Sequence, residues 1–138
     1  GYYQELQTSI VDRNLGSRVF LIDETDDIAA FYKMAYGVVS ASTDPEAFGR
    51  VMAEAGAVGR PIIASDHGGA REIVVPGKTG WLFPSGNSDK LAECLDKLLS
   101  LSFAAYKTMS KTATDHIQKN FSNEQMLAKT LTVYESLV

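Results

Sequence analysis

Gly37-Val-Val-Ser40, Phe48-Gly-Arg-Val-Met-Ala-Glu-Ala-Gly-Ala-Val58 and Arg60-Pro-Ile-Ile-Ala64 follow one another between residues 37 and 64, and their order decides the fold. The outer two are short, apolar and rich in Val and Ile. Runs of that kind suit strands buried on both faces. The middle one reads as a helix from about Phe48 to Val58, with Gly59 as its stop signal. Strand, helix, strand over so few residues is a crossover unit, and crossovers join parallel strands. Pro61 falls at the start of its strand, where a missing N–H is tolerated.

Working outward, the same alternation continues. Tyr3 to Arg13 predicts a helix with Leu6 and Ile10 on one face, Glu5 and Gln7 turned outward, and Gly16 as a stop. Arg18-Val-Phe-Leu-Ile22 is an apolar run that predicts another buried strand. Asp26 is placed to cap a helix running to about Ala35. Downstream, Asp66-His-Gly-Gly69 is a loop leading to a short helix near Ala70 to Val74. Pro76-Gly-Lys-Thr-Gly80 is a turn and Trp81-Leu-Phe83 a short strand. Asn87 or Ser88 caps a helix to about Leu99, and helices over roughly 103–119 and 123–137 complete the chain. The prediction is an α/β fold: a Rossmann-like parallel sheet with helices on both faces. Residues 1–120 are read as the domain body, and 121–138 as a terminal helix leaving it.

The chain has 138 residues, enough for one domain with a real core. Hydrophobic residues make up 45% and charged residues 22%, the balance of a globular chain rather than a disordered one. A net charge of -4 gives no electrostatic footprint for nucleic acid. No apolar run approaches the roughly 20 residues of a membrane span. With the single Cys94 no internal disulfide forms, and its amphipathic helical setting makes it a small core residue.

In open parallel sheets, ligands bind beyond the carboxyl ends of the strands. Three loops follow predicted strands here: Ser40 to Gly49, Ser65 to Gly69, and the loop after Ile22. The first is the most informative. Glu46 lies just before a helix that Phe48-Gly49 opens. A helix start has unpaired N–H groups and partial positive charge, a natural phosphate site. Gly49 lets an anion approach the backbone. Glu54 lies about two turns beyond Glu46. Two carboxylates so placed suit hydroxyl-bearing groups at opposite ends of a phosphate linker, such as a sugar and a ribose.

Glu46 and Glu54 are separated by seven residues, in the pattern Glu-x-Phe-Gly-x-x-x-x-Glu-Ala. The segment resembles the E-x7-E signature of the retaining glycosyltransferases of family 4, which have the two-domain GT-B architecture. Gly59-Arg-Pro-Ile-Ile-Ala-Ser-Asp66, Gly68-Gly-Ala-Arg-Glu72 and Gly77-Lys-Thr-Gly-Trp-Leu-Phe-Pro84 extend the resemblance. It covers about residues 1 to 100 in order, and the final helices fit. It implies the carboxy-terminal, nucleotide-sugar-binding half of such an enzyme, with a UDP- or GDP-sugar as donor; no visible ligand set requires a metal, and no cofactor is expected. Glu46 would contact the donor sugar near the reacting carbon. The backbone of Phe48, Gly49 and Arg50 would hold phosphate and sugar groups, and Glu54 the ribose hydroxyls. The loop at Ile22 would meet the base, and Gly68 and Gly69 would shape the crevice floor.

The same resemblance implies parts that this sequence does not supply. They are an amino-terminal acceptor domain, an Arg and Lys pair that neutralises the diphosphate, and the first strand of the nucleotide domain. The chain alone is therefore expected to be inactive. Members often have glycine where Ile22 stands. The whole protein is expected in the cytoplasm, or peripheral at the inner membrane, with no nucleic-acid partner. The last helix commonly crosses to the other domain. The default reading of its stripe, Phe121, Leu127, Leu131 and Tyr134, is packing; if the helix crosses, part of the stripe is left uncovered here and drives dimerisation or disorder. A stand-alone binding subunit and a sugar-nucleotide epimerase are the alternative readings.

Other residues have plainer readings. His67 is a turn residue, and His116 a solvated position on a polar helix. Gly77-Lys-Thr-Gly80 lacks the upstream glycine of a Walker loop and is a tight turn. Trp81 is core or crevice wall.

Overall fold

The computed structural model describes residues 1–45 and 47–137. The described elements run in the order α1 (Tyr2–Asp12), α2 (Ile28–Met34), β1 (Val38–Ser40), α3 (Arg50–Ala57), β2 (Ile62–Ser65), α4 (Ala70–Ile73), β3 (Gly80–Phe83), α5 (Ser88–Leu99), α6 (Phe103–Phe121) and α7 (Asn123–Glu135). The three strands form one parallel sheet in the order β1-β2-β3. Val38 stands beside Ile62, and Ile62 beside Gly80. The predicted α/β sheet with helices on both faces is what forms.

β2 shows why its sequence is apolar at every position. All four of its residues are buried. Ile62 and Ala64 face a cluster with Met52 and Ala55 of α3, Ala70 and Ile73 of α4, and Ile117 of α6. Ile63 faces the opposite way, with Phe83, Cys94 and Leu98, where Trp81 also packs. Successive strand residues point to opposite faces, so a strand covered on both sides must be apolar throughout. Cys94 is the core residue its setting predicted.

Helix ends follow local chemistry. Gly59 follows α3, and Arg60 N–H bonds Ala55 O at 2.9 Å across the helix end. Asn87 Oδ1 accepts from Lys90 N–H at 3.0 Å to cap α5. Ser102 and Ser122 cap α6 and α7 in the same way. The cap of α2 is Asp27, whose Oδ1 accepts from Ala30 N–H, and not Asp26. Gly77 to Gly80 is the tight turn, with Gly77 N–H bonding Gly80 O at 2.8 Å.

The amino-terminal stretch departs from prediction. Arg18 to Ile22 forms no strand. Arg18 and Val19 N–H groups instead bond Leu15 O in a turn. Phe20 is 72% and Ile22 62% exposed. A strand exists only when its backbone groups pair, and no neighbouring strand lies beside this run among the described residues. α1 buries no residue and ends at Asp12, with Asn14 rather than Gly16 taking the left-handed conformation. An open groove lies between α1 and residues 16–21, lined by Ile10, Val11, Val19 and Leu21.

The carboxy-terminal stripe also divides differently. Phe121 ends α6 and packs edge-on against Phe48 and His116. Leu127, Leu131 and Tyr134 of α7 are exposed, and α7 buries no residue. Of the expected stripe, Phe121 does pack within the chain, and the backbone leaves helical geometry between α6 and α7 at Ser122, at φ -70° and ψ 159°. His116 is half-buried rather than solvated: Nε2 lies 3.2 Å from Glu72 O, and Asn120 Nδ2 lies 3.1 Å from Nδ1.

Candidate functional site

Parallel pairing brings the carboxyl ends of β1, β2 and β3 to one edge of the sheet, so the loops that follow them meet. The loop after β1 runs through Ser42 and Thr43 to the start of α3. Glu46, the residue expected nearest the reacting carbon, lies outside the described residues. Gly49 is the N-cap of α3, buried, at φ 81° and ψ 59°. A side chain resists that left-handed conformation, which is why glycine is needed there. Gly49 O receives the N–H groups of Met52 and Ala53, so the helix begins at once. The remaining N–H groups of the first turn have no intrahelical acceptor.

The loop after β2 is packed against this helix start. A Cβ on Gly69 would lie 2.4 Å from Phe48 O and 2.7 Å from Phe48 C. Only a residue without a side chain lets the two backbones approach so closely. Gly68 sits beside it at φ 52°. Phe48 is exposed on one side and meets Phe121 at 5.9 Å on the other.

Glu54 lies nearly one and a half helical turns further, roughly 7.5 Å along the axis from Gly49. Its carboxylate is held from two directions. Tyr32 OH donates to Oε2 at 3.2 Å. Arg50 donates to Oε1 from Nε at 3.3 Å and from Nη2 at 3.1 Å. Tyr32 is buried, and this burial raises its pKa above the usual tyrosine value, with the Glu54 charge adding to the effect. Arg50 and Glu54 are 84% and 38% exposed, so their ion pair is solvated and orients the carboxylate more than it stabilises the fold.

Phe48, Gly49, Arg50, Glu54, Gly68 and Gly69 thus share one edge of the domain. Ile22 does not join them as the end of a strand, because its segment is irregular. The residues missed by sequence reasoning are Tyr32, His67 in its bonded role, and Ser85. His67 Nε2 lies 2.8 Å from Ser42 O, and Ser85 Oγ lies 3.4 Å from both Ser42 O and Thr43 O. Ser85 carried no local signal, since its partners are more than 40 residues away in sequence.

Residues 1–116 match the family described as Glycosyl transferases group 1. The chain belongs to that family. Its fold matches a glycosyltransferase of Rickettsia africae with a TM-score of 0.90 and 29% identity, over 98% of this chain and 36% of that one. Anabaena Alr3699/HepE, solved in complex with UDP-glucose, matches with a TM-score of 0.85 and 31% identity, over 96% of this chain and 37% of that one. Among curated relatives, the lipopolysaccharide core biosynthesis mannosyltransferase LpcC of Rhizobium leguminosarum is 26% identical over 137 residues, covering 99% of this chain and 38% of the relative. This group 1 glycosyl transferase chain spans between a fifth and two fifths of the first curated relatives it matches. No helix among its described residues is long and apolar enough to cross a membrane.

Proposed function

We propose that this chain is the donor-binding, carboxy-terminal domain of a retaining glycosyltransferase that moves a hexose from a UDP- or GDP-sugar to an acceptor. The observation that carries the reading is Glu54. Its carboxylate is held by Tyr32 and Arg50 on the helix whose open start is built by Gly49 and Gly69. A diphosphate fits the helix start, where N–H groups and partial positive charge meet it. A ribose then falls toward Glu54, whose fixed oxygens accept from its hydroxyls. The UDP-glucose bound by the Anabaena neighbour supports that donor class.

Chemistry requires more than binding. Transfer with retention puts negative charge on the leaving diphosphate, which needs cations aimed at it. On the family resemblance, the basic pair is assigned to the rest of a longer protein, together with the acceptor domain. Glu46 takes the sugar-contacting role on the strength of its motif, and the loop at Ile22 the base contact through its backbone groups. Residues 121–138, with the apolar side of α7, pack on the acceptor domain. The 138-residue chain therefore binds donor without transferring it.

Calorimetric titration of UDP, GDP, UDP-glucose and GDP-mannose tests this. One nucleotide series saturates the chain, and Glu54→Ala weakens it by about tenfold or more, the scale of a lost hydrogen bond to a charged group. Absence of binding in every series, or full affinity in Glu54→Ala, overturns the reading. Sugar transfer by the isolated chain overturns the division of labour.

A further inference from the structure

The loop after β2 grips the loop after β1 at two places. At one, Gly69 backs onto the Phe48 backbone. At the other, His67 meets the Ser42 carbonyl oxygen at 2.8 Å. A carbonyl oxygen only accepts, so His67 Nε2 carries a proton and donates. In the neutral ring Nδ1 is then the acceptor atom, and it is buried without a hydrogen-bonding partner among the described residues. The loop after β3 touches the same carbonyl through Ser85 Oγ, at the longer distance of 3.4 Å. Ser42 O is therefore where the loops of all three strands meet, and the His67 bond is the short one.

We propose that His67 is a positioning residue, which clamps Ser42 in the loop after β1 to the end of β2 and so fixes where the start of α3 stands. The argument is one of spacing. The described residues between β1 and α3 are mostly exposed. Gly69 packing meets the loop's far end by contact, which resists approach but not sliding. A directional hydrogen bond at Ser42 holds the near end against both. Anchored at both ends, the loop delivers Gly49 and the first-turn N–H groups in one place. The ring contributes no proton transfer in this role and touches no reacting atom. Its link to nucleotide affinity rests on the donor-binding reading, whereas its link to loop order does not.

The test uses the 138-residue chain with His67→Ala and His67→Gln, since a glutamine amide can donate from near the Nε2 position. Amide hydrogen exchange is followed without ligand, ring nitrogen shifts are recorded by NMR, and UDP and GDP affinities are measured. His67→Ala is expected to speed exchange across 41–49 by roughly five- to tenfold while α5 and α6 are unaffected, and His67→Gln to restore it to within about twofold. The ring nitrogen shifts should place a proton on Nε2, and nucleotide affinity should fall and recover with the exchange. Unchanged exchange in His67→Ala overturns the proposal. So does equal acceleration through α5 and α6, no recovery in His67→Gln, or a neutral ring protonated on Nδ1. Failure of the unaltered chain to bind UDP or GDP counts against the donor-binding reading, and the exchange pattern and ring signals still decide the role of His67.

Discussion

Arg18-Val-Phe-Leu-Ile22 and Arg60-Pro-Ile-Ile-Ala64 each begin with arginine and continue through apolar residues. The second contributes most of the central strand of the sheet, between β1 and β3, with Ile62 and Ile63 fully buried. Ile62 N–H finds Thr79 O at 3.1 Å, and Val38 N–H finds Pro61 O at 3.0 Å. The first run, with Phe20 and Ile22 largely exposed, has no such neighbours among the described residues and stays irregular. Apolar character makes a run willing to be buried. A partner on each side, giving its N–H and C=O groups somewhere to go, makes it a strand.

The largest effect that tests this contrast lies at Gly80. Its ideal Cβ would sit 1.7 Å from Ile62 O, inside the contact between β2 and β3. Gly80→Ala should destabilise the domain by about 3 kcal/mol or more, the upper range of overpacking, or abolish cooperative unfolding. Urea denaturation followed by circular dichroism reads this directly, and a near-neutral result would mean that β2 and β3 do not pair as described. Next come the apolar runs themselves. Ile63→Ala should cost about 2–5 kcal/mol, as a cavity in a closed core does. Phe20→Ala should stay within about 0.5 kcal/mol. Comparable costs at the two positions would show that residues 18–22 belong to the core, and would end the contrast.

A smaller effect separates the body from the stretch by charge. Tyr32 has its pKa raised by burial, and secondarily by Glu54, above the ordinary value of 10.0. Folding therefore favours its protonated form. That contribution is complete below the ordinary value and is lost as pH rises through the raised one. Thermal melts between about pH 9 and pH 12 should show a shallower alkaline decline in Tyr32→Phe than in the unaltered chain. Matching slopes would show that Tyr32 titrates alike in the folded and the unfolded chain. A small effect is also expected for Arg50→Ala, which should change stability by no more than roughly 1 kcal/mol because its ion pair is solvated. A larger loss would show that Arg50 braces the fold and does not merely steer Glu54.

What was legible in the residues was local. Gly59 ends a helix because glycine tolerates the turn, Asn87 caps one because its amide oxygen reaches a free N–H, and Cys94 lies on the apolar face of its helix. The order of short apolar strands and helices implied parallel pairing, and with it the edge where Phe48, Gly49, Arg50, Glu54, Gly68 and Gly69 gather. What was not legible joined distant residues. Tyr32 reaches Glu54 across 22 positions and His67 reaches Ser42 across 25. His116 looked solvated on a polar helix until Glu72 O and Phe121 closed around it. The capping position at Asp26 or Asp27 turned on one residue of register, which composition does not distinguish.

The amino-acid sequence by itself determined the parallel α/β class, the family motif from Glu46 to Glu54, and the glycines that let backbone approach backbone. These follow from side-chain size, hydrophobic period and the geometry of one helical turn, all short-range properties. Only the tertiary structure decided which apolar runs became strands, which side chains hold Glu54, and how three loops meet at the Ser42 carbonyl. Those outcomes depend on whether a partner group from elsewhere in the chain arrives at hydrogen-bonding distance, and no local pattern carries that distance.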